Sequence, residues 1–222
     1  STRTIDEFIT IELAKNNFNP VLDMLQKGTW DKRNRLDELY SILDIKDEFH
    51  KTLVKKWLYQ TIAMLFNTLD KPIGAEGVLT LQGKQGIGKS RFFSLLALKP
   101  EWFIDGVSID MNNRDSIIKA TSRWIVEIGE LDSTVKREQS SLKAFITSSE
   151  DDIRPPYGKN SIRRARNTSF CATVNPFDFL KDSTGNRRFW VIPIKNIDIQ
   201  KLESNGRDWI LQLWLQIYED VT

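Results

Sequence analysis

The sequence predicts an α/β protein, a parallel sheet flanked by helices and preceded by a small N-terminal helical bundle. Short apolar, β-rich runs alternate with helical stretches from about residue 73 onward. A glycine-rich turn at 83–90 joins one such run to an apolar helical stretch. The residues before it carry helical signals only, so the expected division is 1–72 for the bundle and 73–222 for the α/β domain.

Thr4 and Glu7 have capping-box spacing ahead of an amphipathic stretch. Asn19-Pro20 reads as an N-cap with proline at the first helical position, and Gly28 ends that helix. A longer helix is expected over 46–68, with Leu53, Trp57, Thr61, Met64 and Leu65 on one face. Trp57 and His50 read there as a packing and a surface residue. Proline and glycine between Asp70 and Gly74 mark the change of pattern. Strands are then expected at 78–82, 102–104, 107–110, 124–128, 169–174 and 189–194. Helices are expected at 90–98, 115–121, 133–148 and 206–219, the last with Trp209, Leu213 and Ile217 every fourth residue.

Composition narrows the chemistry. Of 222 residues, 40% are hydrophobic and 28% charged, and seven Trp and twelve Phe give ample apolar surface to bury, against disorder. No apolar run reaches the length of a spanning helix, and no secretory pattern opens the chain, so the cytosol is the expected compartment. Cys171 and His50 are the only residues of their kinds, which excludes an internal disulfide and a Cys/His zinc site. Net charge is only +2, but its distribution is uneven. Between Arg154 and Arg166 lie five basic residues (Arg154, Lys159, Arg163, Arg164, Arg166) and no acid. Taken alone, that segment reads equally well as a solvated loop.

Gly83-Lys-Gln-Gly-Ile-Gly88-Lys89-Ser90 fits G-x-x-x-x-G-K-[ST] in full, after a predicted strand and before a predicted helix. Such a P-loop turns backbone N–H groups inward around phosphate, with a helix N-terminus behind them. Gly83, Gln85, Gly86, Ile87, Gly88, Lys89, Ser90 and Arg91 are the expected nucleotide-binding residues. Lys89 would reach the β- and γ-phosphates, and Ser90 would hold Mg²⁺. Hydrolysis needs an acid as well. Trp124-Ile-Val-Glu127-Ile-Gly-Glu130 is an apolar strand ending in two acids. Glu130, at its end, is favoured to polarise water, and both Glu130 and Glu127 are candidates at the metal, with Asp132 as an alternative partner. Glu127 lies within the strand, on the opposite side if alternation persists, and a structural ion pair is its other reading. Asn175 ends the next apolar strand, where it can hydrogen-bond the γ-phosphate. Arg187 and Arg188, just before the last strand, can stabilise a transferring phosphate, or form a surface pair.

The ordered set GKQGIGKS, WIVEIGEL, LKAFITSSEDDIRPPYG, TVNPFDFL and STGNRRFW resembles the virulence-associated E family of phages and pathogenicity islands. The likeness extends upstream to TWDKRNRLDEL, and the ATPase module of that family is similar to superfamily 3 helicases, a branch of the AAA+ group. The resemblance implies that Gly83, Gly88, Lys89 and Ser90 are Walker A, Glu130 the Walker B acid and Asn175 sensor 1. It implies that Arg187 or Arg188 is an arginine finger acting on the next subunit. It also implies a DNA-gripping hairpin between the Walker B and sensor 1 strands, where Lys159, Arg163, Arg164 and Arg166 fall. The two carboxylates are separated by Ile128-Gly129 rather than adjacent as in many superfamily 3 proteins. The function so implied is an ATP-driven helicase or translocase core for phage or mobile-element replication, using ATP and Mg²⁺. Its partners would be single-stranded or forked DNA and further copies of itself in a hexameric ring. Family members often carry a primase-type domain upstream, of which nothing fits here, so the chain reads as a possible fragment.

The alternatives are few. A DNA-binding loader or scaffold that hydrolyses ATP without unwinding would read the same way. A small-molecule kinase lacks an acceptor constellation. Asp182-Ser-Thr-Gly185 has a GTPase-like form, but no N-K-x-D base-reading motif accompanies it.

Overall fold

A computed structural model describes residues 18–129, 139–153, 161–175 and 186–222. The expectations on Thr4, Glu7, Glu130, Asp132, Arg154, Lys159 and Asp182 lie outside the described residues.

The centre is a sheet of β1 (Val78–Gln82), β2 (Phe103–Val107), β3 (Ile125–Ile128), β6 (Ser169–Val174) and β7 (Phe189–Pro193), in the order β2-β3-β6-β1-β7. Every neighbouring pair in it is parallel. Its central strands are buried almost throughout because both faces are covered. Side chains alternate between two cores. Leu79, Leu81, Ile125, Cys171 and Ile192 face one of them, and Val78, Val126, Ile128, Phe170 and Ala172 the other.

The first face is covered by α1 (Pro20–Lys27), α2 (Leu36–Ile42), α3 (Glu48–Ala63), α4 (Lys89–Leu96) and α7 (Ile199–Val221). The second is covered by α5 (Arg114–Ala120) and α6 (Gln139–Thr147). The described helices before Asp70 thus share the core of the sheet. The indole of Trp57 donates to the Phe170 carbonyl at 2.8 Å, and Thr61 donates to the Ser169 hydroxyl at 2.8 Å. Gln60 donates to the Gly77 carbonyl and accepts from the N–H groups of Glu76 and Gly77 just ahead of β1.

Local signals explain most boundaries. The Asn19 side chain accepts from Val21 and Leu22, Pro20 opens α1, and the Gly28 N–H caps its end. The helix expected over 46–68 is α3, capped by Asp47 and ending in a single 3-10 turn at Met64–Phe66. The strands expected at 102–104 and 107–110 are one strand, β2. Its Asp105-Gly106 step is an irregularity in pairing, with Gly106 at φ 61, rather than a break. The last helix begins earlier than expected, capped by Asp198, and is kinked at Gly206.

A second, two-stranded sheet pairs β4 (Glu150–Ile153) with β5 (Ile162–Ala165), antiparallel. Arg163 and Arg164 of the basic segment therefore lie on its second strand, and Arg166 follows directly after it.

Candidate functional site

The glycine-rich turn leaves the carboxyl end of β1 and enters α4 at Lys89. β1 lies between β6 and β7, while the chain following it crosses to the far edge strand β2. In such sheets ligands usually sit at the carboxyl ends of the strands beside such a reversal. Gly86 and Gly88 have φ of 84° and 92°, in the region that favours glycine. Any Cβ at Gly83 would stand 2.4 Å from the Ile194 carbonyl oxygen, and one at Gly88 would stand 2.4 Å from Ile199. Gln85 and Gly86 are exposed at the crest of the turn, Ile87 is half-buried, and the Arg91 guanidinium points to Glu203 on α7 at 2.7 Å.

Lys89 is 8% exposed and its Nζ donates to the carbonyls of Gly83 and Lys84, both at 2.7 Å. Burial moves its ammonium below the ordinary pKa, and the nearby Glu127 carboxylate opposes that shift. Ser90 donates its hydroxyl to Glu127 Oε1 at 2.8 Å, and Thr173 on β6 donates to the same oxygen at 2.6 Å. Glu127 is 4% exposed, and its Oε2 is buried without a hydrogen-bond partner among the described residues. Burial pushes its carboxyl above the ordinary range. The bonds from Thr173 and Ser90 and the Lys89 charge pull it back, while Asp105 adds to the rise. The partners of Glu127 are thus two hydroxyls, which replaces the structural ion pair as its local role.

Among the described residues, Glu127 is the acid that the structure brings against the P-loop. It lies on the face of β3 turned to α4, because β3 pairs with β6 in the register Glu127↔Cys171, and Cys171 faces that same core. A magnesium ion fits this set. It takes oxygen ligands, usually from one or two side chains plus phosphate and water, and Ser90 Oγ with the unpartnered Glu127 Oε2 are oxygens of that kind. Among the described residues no group of three or more His, Cys, Asp or Glu could hold a metal without such help.

Asn175 follows β6 directly and is exposed. The preceding Val174 carbonyl accepts from the Gly83 N–H at 3.1 Å, which fixes the end of β6 beside the first residue of the P-loop. Arg187 and Arg188 form a 3-10 turn before β7, at the opposite end of the sheet. Phe189 is level with Val78 at the start of β1, so the arginines stand a strand length, about 17 Å, from their own P-loop. Arg187 is exposed, whereas Arg188 is half-buried with an Nε that lacks a partner among the described residues.

The hairpin separates the basic residues. Arg163 is exposed and pairs with Glu150 at 2.5 Å. Arg164 donates to the carbonyl and hydroxyl of Thr121 at 2.9 and 2.7 Å, holding the hairpin to the end of α5. Arg166 is 2% exposed. Its Nε donates to Asp151 Oδ1 at 3.0 Å, its terminal nitrogens bond Asp151 and the Phe145 carbonyl, and its guanidinium lies 4.2 Å from the Phe145 ring centroid. Arg166 therefore offers nothing to DNA, which corrects its expected role. Its charge is consumed inside the fold by an acid fifteen residues earlier.

The parallel sheet, the left-handed glycines of the turn and the Ser90–Glu127 pair beside the buried Lys89 define an α/β fold built around a glycine-rich turn. The family model described as the virulence-associated protein E-like domain matches residues 24–221, and the chain belongs to that family. Two solved structures of the C-terminal region of NrS-1, in its A form without ligand, are similar to it. The first has a TM-score of 0.59 at 19% identity and the second 0.58 at 18%. Each alignment covers 92% of this chain and 51% of the other, so the chain spans about half the length of these relatives. At these identities the likeness shows the fold alone. No curated protein matches the chain. No helix among the described residues is long and apolar enough to cross a membrane.

Proposed function

We propose that the chain is the ATPase core of a DNA helicase or translocase serving the replication of a phage or mobile element in the bacterial cytosol. The observation that carries this reading is the Ser90 hydroxyl on the buried Glu127 carboxylate at 2.8 Å, directly behind a complete P-loop. A glycine-rich turn alone needs no buried acid at that point, and burying one with an oxygen unpartnered is costly.

In this mechanism the N–H groups of the turn cradle the triphosphate. Lys89 exchanges its two loop carbonyls for phosphate oxygens, which as anions are the stronger acceptors for an ammonium. Ser90 and Glu127 hold Mg²⁺, which when bound neutralises charge on the phosphates. Glu130, beyond the end of β3, polarises the attacking water, and Asn175 hydrogen-bonds the γ-phosphate from the end of β6. Arg187 and Arg188 stand too far from their own P-loop to act on it. That distance supports a role for them at the ATP of the next subunit in a hexameric ring, with ATP at each junction. Lys159 and Arg163 bind DNA phosphates, the second of them from the hairpin, which Arg164 and Arg166 anchor. Binding through phosphate contacts is non-specific in sequence and weakens with salt.

The test is ATP hydrolysis with and without single-stranded DNA, with Lys89→Ala as the blank. Stimulation by DNA is expected. Hydrolysis without stimulation would favour the loader or scaffold, and no hydrolysis above the blank would overturn the ATPase reading.

A further inference from the structure

We propose that Thr173 is a positioning residue of the nucleotide site, clamping one oxygen of Glu127 so that the other is presented to a divalent cation. The inference rests on the reading of the P-loop as a magnesium–nucleotide site.

The geometry is asymmetric. Both hydroxyls that reach Glu127 end on Oε1, from Ser90 at 2.8 Å and from Thr173 at 2.6 Å, and Oε2 is left buried with no partner among the described residues. The two donors also come from different parts of the fold. Ser90 is on the first turn of α4 and moves with the P-loop. Thr173 is on β6, hydrogen-bonded on one side to β3 and on the other to β1, where it is level with Leu81. It lies two residues beyond Cys171, the register partner of Glu127, so it shares that face of the sheet at the strand end nearest the loop. A β-branched side chain on a central strand has little χ1 freedom. The sheet therefore fixes the acid independently of the loop. Ser90 can then turn a lone pair to a metal while its single proton stays on Oε1.

Such outer partners of metal ligands typically carry ten- to hundredfold in metal affinity. Thr173→Val keeps the shape and removes the donor, and Thr173→Ser restores it. The experiment is binding of a fluorescent ATP analogue, first in EDTA and then across a Mg²⁺ titration, for the wild type, both variants and Lys89→Ala. Thr173→Val is expected to bind the analogue normally in EDTA while its Mg²⁺ midpoint rises about tenfold or more. Thr173→Ser is expected to return near the wild-type midpoint. A Thr173→Val midpoint within about twofold of wild type overturns the inference, and leaves the site reading intact if the wild type responds to Mg²⁺ and Lys89→Ala does not bind. Loss of binding even in EDTA, unrescued by serine, would make Thr173 a packing residue and overturn it too. If the wild type itself fails to bind, the P-loop reading fails and takes the inference with it.

Discussion

Asp151→Ala removes the carboxylate that holds Arg166, and its cost follows from the burial of the pair. Both side chains are 2% exposed. Two guanidinium nitrogens end on Asp151 Oδ1, a third on the Phe145 carbonyl, and the rings of Phe145 and Phe170 lie 4.2 and 5.7 Å from the guanidinium carbon. Without Asp151 the cation stays between two aromatic rings with one carbonyl as acceptor. Breaking a buried pair by removing one partner costs about 3–5 kcal/mol. Against a total stability of about 5–15 kcal/mol, that is a large fraction. In urea, with a slope near about 2 kcal/mol per M, the midpoint should fall by about 2 M. The double variant Asp151→Leu with Arg166→Met should recover most of the loss, because no unpaired charge remains. The assay is equilibrium urea unfolding followed by tryptophan fluorescence. A loss below about 1 kcal/mol in Asp151→Ala would refute the reasoning, since it would mean that Arg166 reaches water and is again available to DNA.

Other variants test other parts of the account. Arg187→Ala or Arg188→Ala should abolish ATP turnover and spare nucleotide binding by the same subunit, and normal turnover in both would remove the finger from this turn. Gly88→Ala should abolish nucleotide binding, because the residue has φ 92° and its Cβ would meet Ile199 at 2.4 Å; an equilibrium binding assay reads the loss. Arg163→Ala should weaken single-stranded DNA binding and flatten its salt dependence, whereas Arg166→Lys should change stability but not the salt slope. On the acid side, the hydrogen bond from Arg35 holds the Asp31 carboxyl well below the usual carboxylate range. A depressed carboxylate contributes stability that is present above its unfolded pKa, near about 4, and is lost as pH falls through the folded value. Asp31→Asn should therefore lower stability at neutral pH and lessen its fall on acidification, as read by thermal melts across pH.

Much of the fold was legible because its signals are local. β1 and β6 lie where the apolar runs place them, and the Asn19-Pro20 start and Gly28 stop of α1 hold. The helix Leu36–Ile42 carries no such signal, since its N-cap Arg35 makes no side-chain capping bond. The hairpin was expected only from the family resemblance, since its strands carry no pattern of their own. Their cross-strand neighbours are acid against base, Asp151↔Arg164 and Asp152↔Arg163, so neither strand shows apolar alternation. The P-loop could be read residue by residue, and Glu127 was a candidate at the metal, but the face it takes could not be read. Which face Glu127 takes depends on the pairing of β3 with β6 and on where α4 lies, both long-range facts. Thr173 was hidden for the same reason, and Arg166 looked like surface charge because its partner lies fifteen residues earlier in another strand.

The central claim is that the P-loop and Glu127 form one magnesium-dependent ATP site, and steady-state ATP turnover of Glu127→Gln beside wild type and Lys89→Ala tests it most directly. The amide keeps the shape and the Ser90 and Thr173 bonds to an oxygen but removes the charge that a cation needs. Glu127→Gln should retain nucleotide binding in EDTA and lose turnover by about a hundredfold or more, close to the Lys89→Ala blank. Turnover of Glu127→Gln near the wild-type rate would contradict the account and leave the buried carboxylate a structural group.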